Sequence, residues 1–309
     1  MAKKKELEIV KHLTMSQLEV FVVELTARNP HGHDDLEIGL VLEGSLFLYI
    51  DQERYRLSRG DIYIINRHQI HSFAKNSPTN RILAFQINTE LYRTINYSYG
   101  SVFFQNNVIH DSALYGQLYK EMLSCTKYYF SGQDFSELMC SSSLLRLFFL
   151  LLENSHFSIA TEKESANAKN DSLRLNRIVD YIGEHYMEKL SLQSIADQEC
   201  LSPYHVSHFI SRMLGISFQD YLNQVRFEHA LFLINQSSLA ILDICMECGF
   251  SSSRYLNQMF QKHFSCSVKE YKKLVNKPPY NRVALPTENI QKRYSYEQSR
   301  LYLEINKFL

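Results

Sequence analysis

The sequence has no surplus of either charge, no long apolar run and few cysteines. With 33 Lys and Arg against 33 Asp and Glu, the formal net charge is zero. That excludes a polycation binding nucleic acid regardless of sequence, so any such contact must come from a few placed basic side chains and helix N-termini. The longest apolar run, Leu147 to Leu152, falls far short of the roughly 20 residues that span a bilayer. The basic start, Met1 to Glu6, has no apolar stretch behind it. No secretory signal is read there, and a cytoplasmic protein without a membrane partner is expected. Six cysteines are scattered along the chain, and only Cys245 and Cys248 have motif spacing. With no second pair and no nearby His to complete a zinc or redox site, these two read as packing positions of a short helix.

What is present is enough apolar material for two packed domains: 45% hydrophobic and 13% aromatic residues in a chain of 309. Between Leu173 and Lys273 one small device occurs twice. In the first copy, Leu192 to Asp197 reads as a short helix and Glu199 to Ser202 as a break. A second helix then begins with Ser202 as N-cap and Pro203 at its first position. Val206, Phe209, Ile210 and Met213 recur on one face, leaving Tyr204, His205, Ser207, His208, Ser211 and Arg212 outside.

The second copy places a short helix at Leu239 to Cys248, a turn at Gly249 to Ser251 with Ser251 as cap, and a helix through about His263. Tyr255, Leu256, Met259, Phe260 and Phe264 form its expected buried face. Ser253, Arg254, Asn257, Gln258, Gln261 and Lys262 are left outside. A helix, a turn and a second helix presenting Arg, Asn and Gln is the helix-turn-helix, whose second helix reads base edges in the major groove. Between the copies, Phe218 to Ile234 has no Gly or Pro and reads as one continuous helix. Its length of roughly 25–30 Å approaches one turn of B-DNA, about 34 Å.

These hundred or so residues resemble the AraC/XylS transcription regulators. The resemblance rests on Leu201 to Phe209, Gly215 to Arg226 and Ile244 to Phe260. It implies base contacts from Tyr204, Ser207 and His208 in the first reader, and from Ser253, Arg254, Asn257 and Gln258 in the second. Cys245, Cys266 and Val268 depart from the family pattern, at packing positions near the last turn.

From about Gln17 to Ile87 the pattern changes to short β-rich runs: Val20–Leu25, Ile38–Leu42, Leu46–Ile50, Arg54–Leu57, Ile62–Ile65 and Ile82–Ile87. Turn signals at Asn29, Glu43, Asp51, Arg59 and Asn76 to Pro78 separate them, which predicts a sandwich or barrel. His31, His33, Glu37, Gly44, Gly60, Asp61 and His71 follow in the order of the cupin motifs, so this stretch resembles the double-stranded β-helix sensor of many AraC-type regulators. Asn66 and His68 stand where those motifs have Pro and Gly, and Lys75 replaces the usual Asn. The resemblance implies His31, His33, Glu37 and His71 as a ligand set suited to a divalent first-row metal. The alternative is that they hydrogen-bond a small ligand, or one another, without metal. Tyr49, Tyr55, Tyr63 and Phe73 could stack on a sugar ring, carbohydrate being the common effector class for this architecture.

Two helical patterns, Ala113–Leu123 and Leu138–Leu152, follow. The second is apolar nearly all round, which calls either for a partner subunit or for the open face of the barrel. Thr161 to Asn170 is polar without periodicity and reads as a flexible linker. The fold expected is α+β and multidomain: a cupin-like sensor barrel over 1–110, a helical dimerisation segment over 111–155 and a linker over 156–172. An all-α DNA-binding domain with two helix-turn-helix units follows over 173–276, and an extension without an assigned role over 277–309.

The expected function is a sequence-specific regulator, an activator rather than a repressor, and not an enzyme. Its expected partners are double-stranded DNA, a second copy of the chain, RNA polymerase, and a sugar held by His31, His33, Glu37, Tyr49, Tyr63 and His71. A metal-dependent cupin enzyme joined to a DNA module, and a ligand-free scaffold controlled by a protein, are the alternatives.

Overall fold

A computed structural model of the chain describes residues 15–109, 112–277 and 285–309. It divides into two compact units: the described residues of 1–26 with 32–173 and 290–309, and 27–31 with 174–289.

The first unit is built on long antiparallel strands, β1 (Leu18–His31), β2 (Leu36–Ile50), β3 (Glu53–Ser58), β4 (Ile62–Ile65) and β5 (His71–Ile87). The sheet runs β3-β2-β5-β1, with β4 also paired to β2. Alternation along each strand sends one set of side chains to each face. Phe21, Val23, Tyr63, Ile65, Phe73, Ile82 and Ala84 pack together on the inner side. Val20, Val22, Ile62, Ile64, Leu83 and Phe85 face outward into a second core shared with the helices.

The runs expected as two strands, Ile38–Leu42 and Leu46–Ile50, are one strand, and the turn signals at Glu43–Gly44 and Asn76–Pro78 lie within strands. Gly44 has φ 72°, and the β2–β5 register shifts on both sides of it. This is a bulge that bends the strand without ending it. A Cβ at Gly44 would lie 1.9 Å from the Thr79 carbonyl oxygen, so the close approach requires glycine.

After α1 (Glu90–Arg93), a 3-10 turn (Tyr97–Ser101) and β6 (Val102–Phe104), helices α2 (Ser112–Tyr129) and α3 (Ser136–Asn154) pack on the outer core. Leu144, Leu147, Phe148, Leu150 and Leu151 of α3 are buried there. Phe148 stacks on Tyr92 at 3.9 Å. Most of the apolar surface of α3 is therefore buried within the chain's own outer core.

The segment expected to be a flexible linker is ordered. β7 (Phe157–Ile159) pairs with β6, and α4 (Glu162–His185) follows as one 24-residue helix. Its start is capped reciprocally: the Glu164 amide donates to Thr161 Oγ1, and the Thr161 amide to the Glu164 carboxylate.

Apart from residues 27–31, which end β1, the elements of the second unit are helices. α5 (Leu192–Glu199), α6 (Pro203–Leu214), α7 (Phe218–Gln236), α8 (Ile241–Glu247), α9 (Ser253–Phe264) and α10 (Val268–Lys273) follow the second half of α4. Arg226 of α7 donates to the carbonyls of Tyr186 and Glu188, both at 2.8 Å, and so satisfies groups beyond the end of α4. Glu228, 3% exposed, accepts from Gln224 and from the Thr287 hydroxyl.

Residues 290–309 return to the first unit. β8 (Ile290–Arg293) adds an edge strand beside β1, and α11 (Tyr296–Ile305) buries Leu303 in the outer core. The Tyr294 amide donates to the Val22 carbonyl and the Val22 amide to Ser299 Oγ. Arg293 pairs with Glu19 and covers the Phe21 ring.

Candidate functional site

Two regions carry the chemistry, and the first is the pair of second helices in the helical unit. Ser202 caps α6, its hydroxyl accepting from the His205 amide at 3.3 Å, and Pro203 opens the helix. Val206, Phe209, Ile210 and Leu214 are buried. Tyr204, His205, His208, Ser211 and Arg212 are exposed and Ser207 is half-buried. The Tyr204 ring lies 4.3 Å from that of His208 and 5.9 Å from that of His205, forming a small aromatic surface.

On α9, Leu256 and Phe260 are buried, and Ser253, Arg254, Gln258, Gln261 and Lys262 are exposed. Three expectations change here. Tyr255, assigned to the buried face, is 52% exposed. The cap residue is Ser252 rather than Ser251, and its side chain makes no capping bond. Asn257, assigned to the reading face, is half-buried: its Oδ1 accepts from the Val268 amide at 3.1 Å and its Nδ2 donates to the Ser253 carbonyl at 3.0 Å. Its amide holds α10 against α9 rather than facing outward, because Val268 opens α10 and its N–H has no partner within that helix.

Cys245 and Cys248 are buried. Burial pushes the Cys248 thiol up to about 12 and raises that of Cys245, which suits packing thiols rather than nucleophiles.

The second region lies on the inner face of the sheet. Glu37 and Gly39 of β2, Tyr63 of β4, and His71 and Gln86 of β5 project inward by the same alternation that places Phe73 and Ala84 there. His33 Nε2 lies 3.3 Å from Glu37 Oε2, Tyr63 donates its hydroxyl to Glu37 Oε1 at 2.9 Å, and Gln86 donates to Oε2 at 3.2 Å. Burial acts to raise the Glu37 pKa. The His33 hydrogen bond and charge, with His71 and Tyr63, outweigh it and hold the carboxyl down at about 2. Burial and the Glu37 carboxylate push the Tyr63 phenol well up. Gly39 leaves room for Tyr63, since a Cβ there would fall 2.1 Å from Tyr63 Cζ.

His31, at the end of β1, His33 and His71 are all buried, and each offers a ligand atom within 4.8 Å of the others. In each ring Nδ1 faces a backbone carbonyl: Asn29 at 2.8 Å, Asp35 at 3.0 Å and Gln69 at 3.0 Å. A proton on Nδ1 would satisfy that contact, and it is the tautomer whose Nε2 can ligate a metal. The donor set therefore fits a divalent first-row metal, with Glu37 beside it.

The aromatic residues expected to stack on a sugar are packed. Tyr63 lies over Gly39 and 5.6 Å from the Phe73 ring, and Tyr49 is 7% exposed. Tyr55 alone of the four is half-buried. It lines a groove of about 260 Å³ with Gln105, Asn106, Asn107, Leu114 and Asn154.

No motif or spacing in the sequence marks Asp34 or Ser172. Asp34 accepts from His68 Nε2 at 3.0 Å and from Arg67. Burial acts to raise its pKa, and the bonds from His68 and Arg67 hold it well below the usual carboxylate range. The one available signal was His68. It stands where the cupin pattern has Gly, and it has φ 59°, so the left-handed backbone is kept here with a side chain added.

Two family descriptions match the chain: an AraC-like ligand-binding domain over residues 23–151 and a helix-turn-helix domain over residues 195–274. An HTH-type transcriptional regulator of Staphylococcus aureus strain MRSA252 is 26% identical over 276 residues, 89% of this chain and 35% of the relative. The chain thus spans about a third of the length of that curated relative. The HTH-type regulator YijO of Escherichia coli K12 is 31% identical over 119 residues, 38% of this chain and 42% of YijO. The crystal structure of ToxT from Vibrio cholerae O395 covers 84% of this chain and 98% of its own, with 14% identity and a TM-score of 0.35. No helix among the described residues is long and apolar enough to cross a membrane. The chain thus joins an AraC-like ligand-binding domain to a helix-turn-helix domain, the pair of domains that marks the AraC/XylS family.

Proposed function

We propose that the chain is a homodimeric activator that binds double-stranded DNA by laying α6 and α9 in successive major grooves. A small molecule held by its N-terminal domain, a carbohydrate by class, would alter that binding, and RNA polymerase is the partner such an activator needs. The observation that carries the reading is the division of both helices into a buried apolar face and an exposed polar one. Tyr204, His205, His208, Ser211 and Arg212 stand on α6, and Ser253, Arg254, Gln258, Gln261 and Lys262 on α9. At 19 residues, α7 is about 28 Å long, close to the spacing of neighbouring grooves.

A second copy is supported by a row on α3 and the residue before it that the sheet leaves uncovered. Phe135, Leu138 and Phe149 are exposed, and Leu145 and Leu152 at the edge of the core are only half-buried. Phe149→Asp should turn the dimer into a monomer by sedimentation, and a monomeric wild type would end this part of the reading.

For the effector, the exposed amides of Gln105 and Asn106 in the groove beside Tyr55 are neutral donors and acceptors of the kind sugar hydroxyls use. The three imidazoles favour a second reading, in which a divalent transition metal is the effector or a fixed part of the site. Thermal unfolding of the full chain with pentoses, hexoses, Ni²⁺ or Zn²⁺, each repeated with promoter DNA, separates the two. A native-state ligand at 100 times its Kd adds about 2.7 kcal/mol. Stabilisation by a sugar that also shifts DNA affinity supports the first reading. Stabilisation by metal alone, reversed by a chelator, supports the second.

A further inference from the structure

The turn carrying His33 faces two ways, and its outer side holds the first half of α4. His33 points inward to Glu37, while its own carbonyl accepts from the His68 amide at 2.7 Å. The next residue, Asp34, points outward. Its carboxylate accepts from His68 Nε2 at 3.0 Å, pairs with Arg67 and lies 3.8 Å from Lys169 Nζ. Its carbonyl accepts from Arg67 Nε at 2.9 Å. With Nε2 given to Asp34, His68 Nδ1 faces the Ser172 hydroxyl at 3.4 Å.

Lys169 and Ser172 belong to α4, and the approach is close. A Cβ on Gly32 would lie 2.8 Å from Ser172 Cβ. On the far side of the same loop pair, His71 returns to the inner face and its Nδ1 bonds the Gln69 carbonyl. Neighbouring residues of two short loops therefore alternate between the inner histidine cluster and the anchor of α4, with backbone bonds joining the two layers.

We propose that Asp34, His68 and Ser172 are positioning residues that tie the state of the inner cluster to the hold on residues 162–173 of α4. Because α4 runs unbroken to His185, with Leu175, Ile178, Val179 and Ile182 buried, that hold bears directly on the helix that opens the DNA-binding unit. Whatever displaces His33 or Glu37 shifts the 33–35 turn, and with it the His68 amide and the Asp34 carboxylate. The regulatory meaning rests on the reading that the inner cluster is where the effector acts; the mechanical link does not.

Hydrogen exchange on the full chain tests the link without any ligand. Asp34→Asn weakens the outer layer and should speed exchange of the α4 amides 165–173 at least threefold. Glu37→Gln touches only the inner layer and should speed the same amides. The double variant should go no further than the larger single one, because both release one restraint. Tyr63→Phe removes only the hydroxyl bond to Glu37 and should act in the same direction with a smaller effect, which covers the case of a poorly folded Glu37→Gln. Amides of β3 serve as the control and should exchange as in wild type. The proposal is overturned if Glu37→Gln and Tyr63→Phe leave 165–173 unchanged, if the Asp34 and Glu37 effects add in full, or if β3 loosens equally. Any of these would leave the effector reading standing, and failure to find an effector would leave the link standing.

Discussion

Arg254 and Asn257 sit one helical turn apart on α9, and the structure gives them different work. Arg254 is exposed, whereas both ends of the Asn257 amide are engaged within the protein. Arg254→Ala is expected to weaken binding to the correct site by ~1–3 kcal/mol with little change on random DNA; equal losses on both would remove its base-reading role. Asn257→Ala should instead lower folding stability by about 1 kcal/mol in urea unfolding, and weaken all DNA sites alike. The caps and buried face of α6 were legible because Ser202, Pro203, Val206, Phe209 and Ile210 are local signals. The role of Asn257 was not, because its partner at Val268 lies in the next helix and no spacing rule announces it. Glu37 gives a second test. Its folded pKa of about 2 lies below the ordinary 4.5, so its ionised form stabilises the native state above about pH 4.5, and this stabilisation is lost as pH falls towards 2. The loss amounts to about 3 kcal/mol. Urea unfolding between pH 3 and 7 should show a shallower acid decline for Glu37→Gln than for wild type, and parallel curves would contradict that assignment.

At the scale of elements, the sequence announced strands, helix-turn-helix pairs and the α7 strut through apolar periodicity, and it failed where periodicity is absent or interrupted. The first half of α4 is almost wholly exposed, so burial imposes no apolar repeat on it. It is helical because the Thr161–Glu164 cap starts it and the buried half beyond Ser172 continues it. Gly44 looked like a turn and is a bulge, since only the pairing partner reveals that the strand goes on. The apolar spacing from Tyr296 to Ile305 allows a terminal helix, but where β8 and α11 dock was the least legible, because their packing partners lie more than 160 residues away, as in the Tyr296 hydroxyl bond to the Tyr129 carbonyl. Leu303→Ala, which empties a fully buried site in α11, should cost ~2–5 kcal/mol in unfolding of the first unit. No measurable change would mean that α11 does not dock in solution.

For the whole molecule, zero net charge makes DNA affinity a matter of local placement. Lys262→Ala should lower affinity for every sequence and flatten the salt dependence by about one unit of slope, read by fluorescence anisotropy across a salt series; an unchanged slope would take Lys262 off the phosphate backbone. The return of residues 290–309 to the first unit has a consequence in time as well as in space. During synthesis, the β1 edge that β8 will pair stays open while the whole helical unit is being made. At 5–20 residues per second this exposure lasts on the order of 6–25 s, and an open strand edge is a template for pairing with other chains. Nascent chains stalled before Ile290 should therefore depend on chaperones, and a recombinant sensor will need the strand and helix from the far end of the sequence grafted back on to stay in solution.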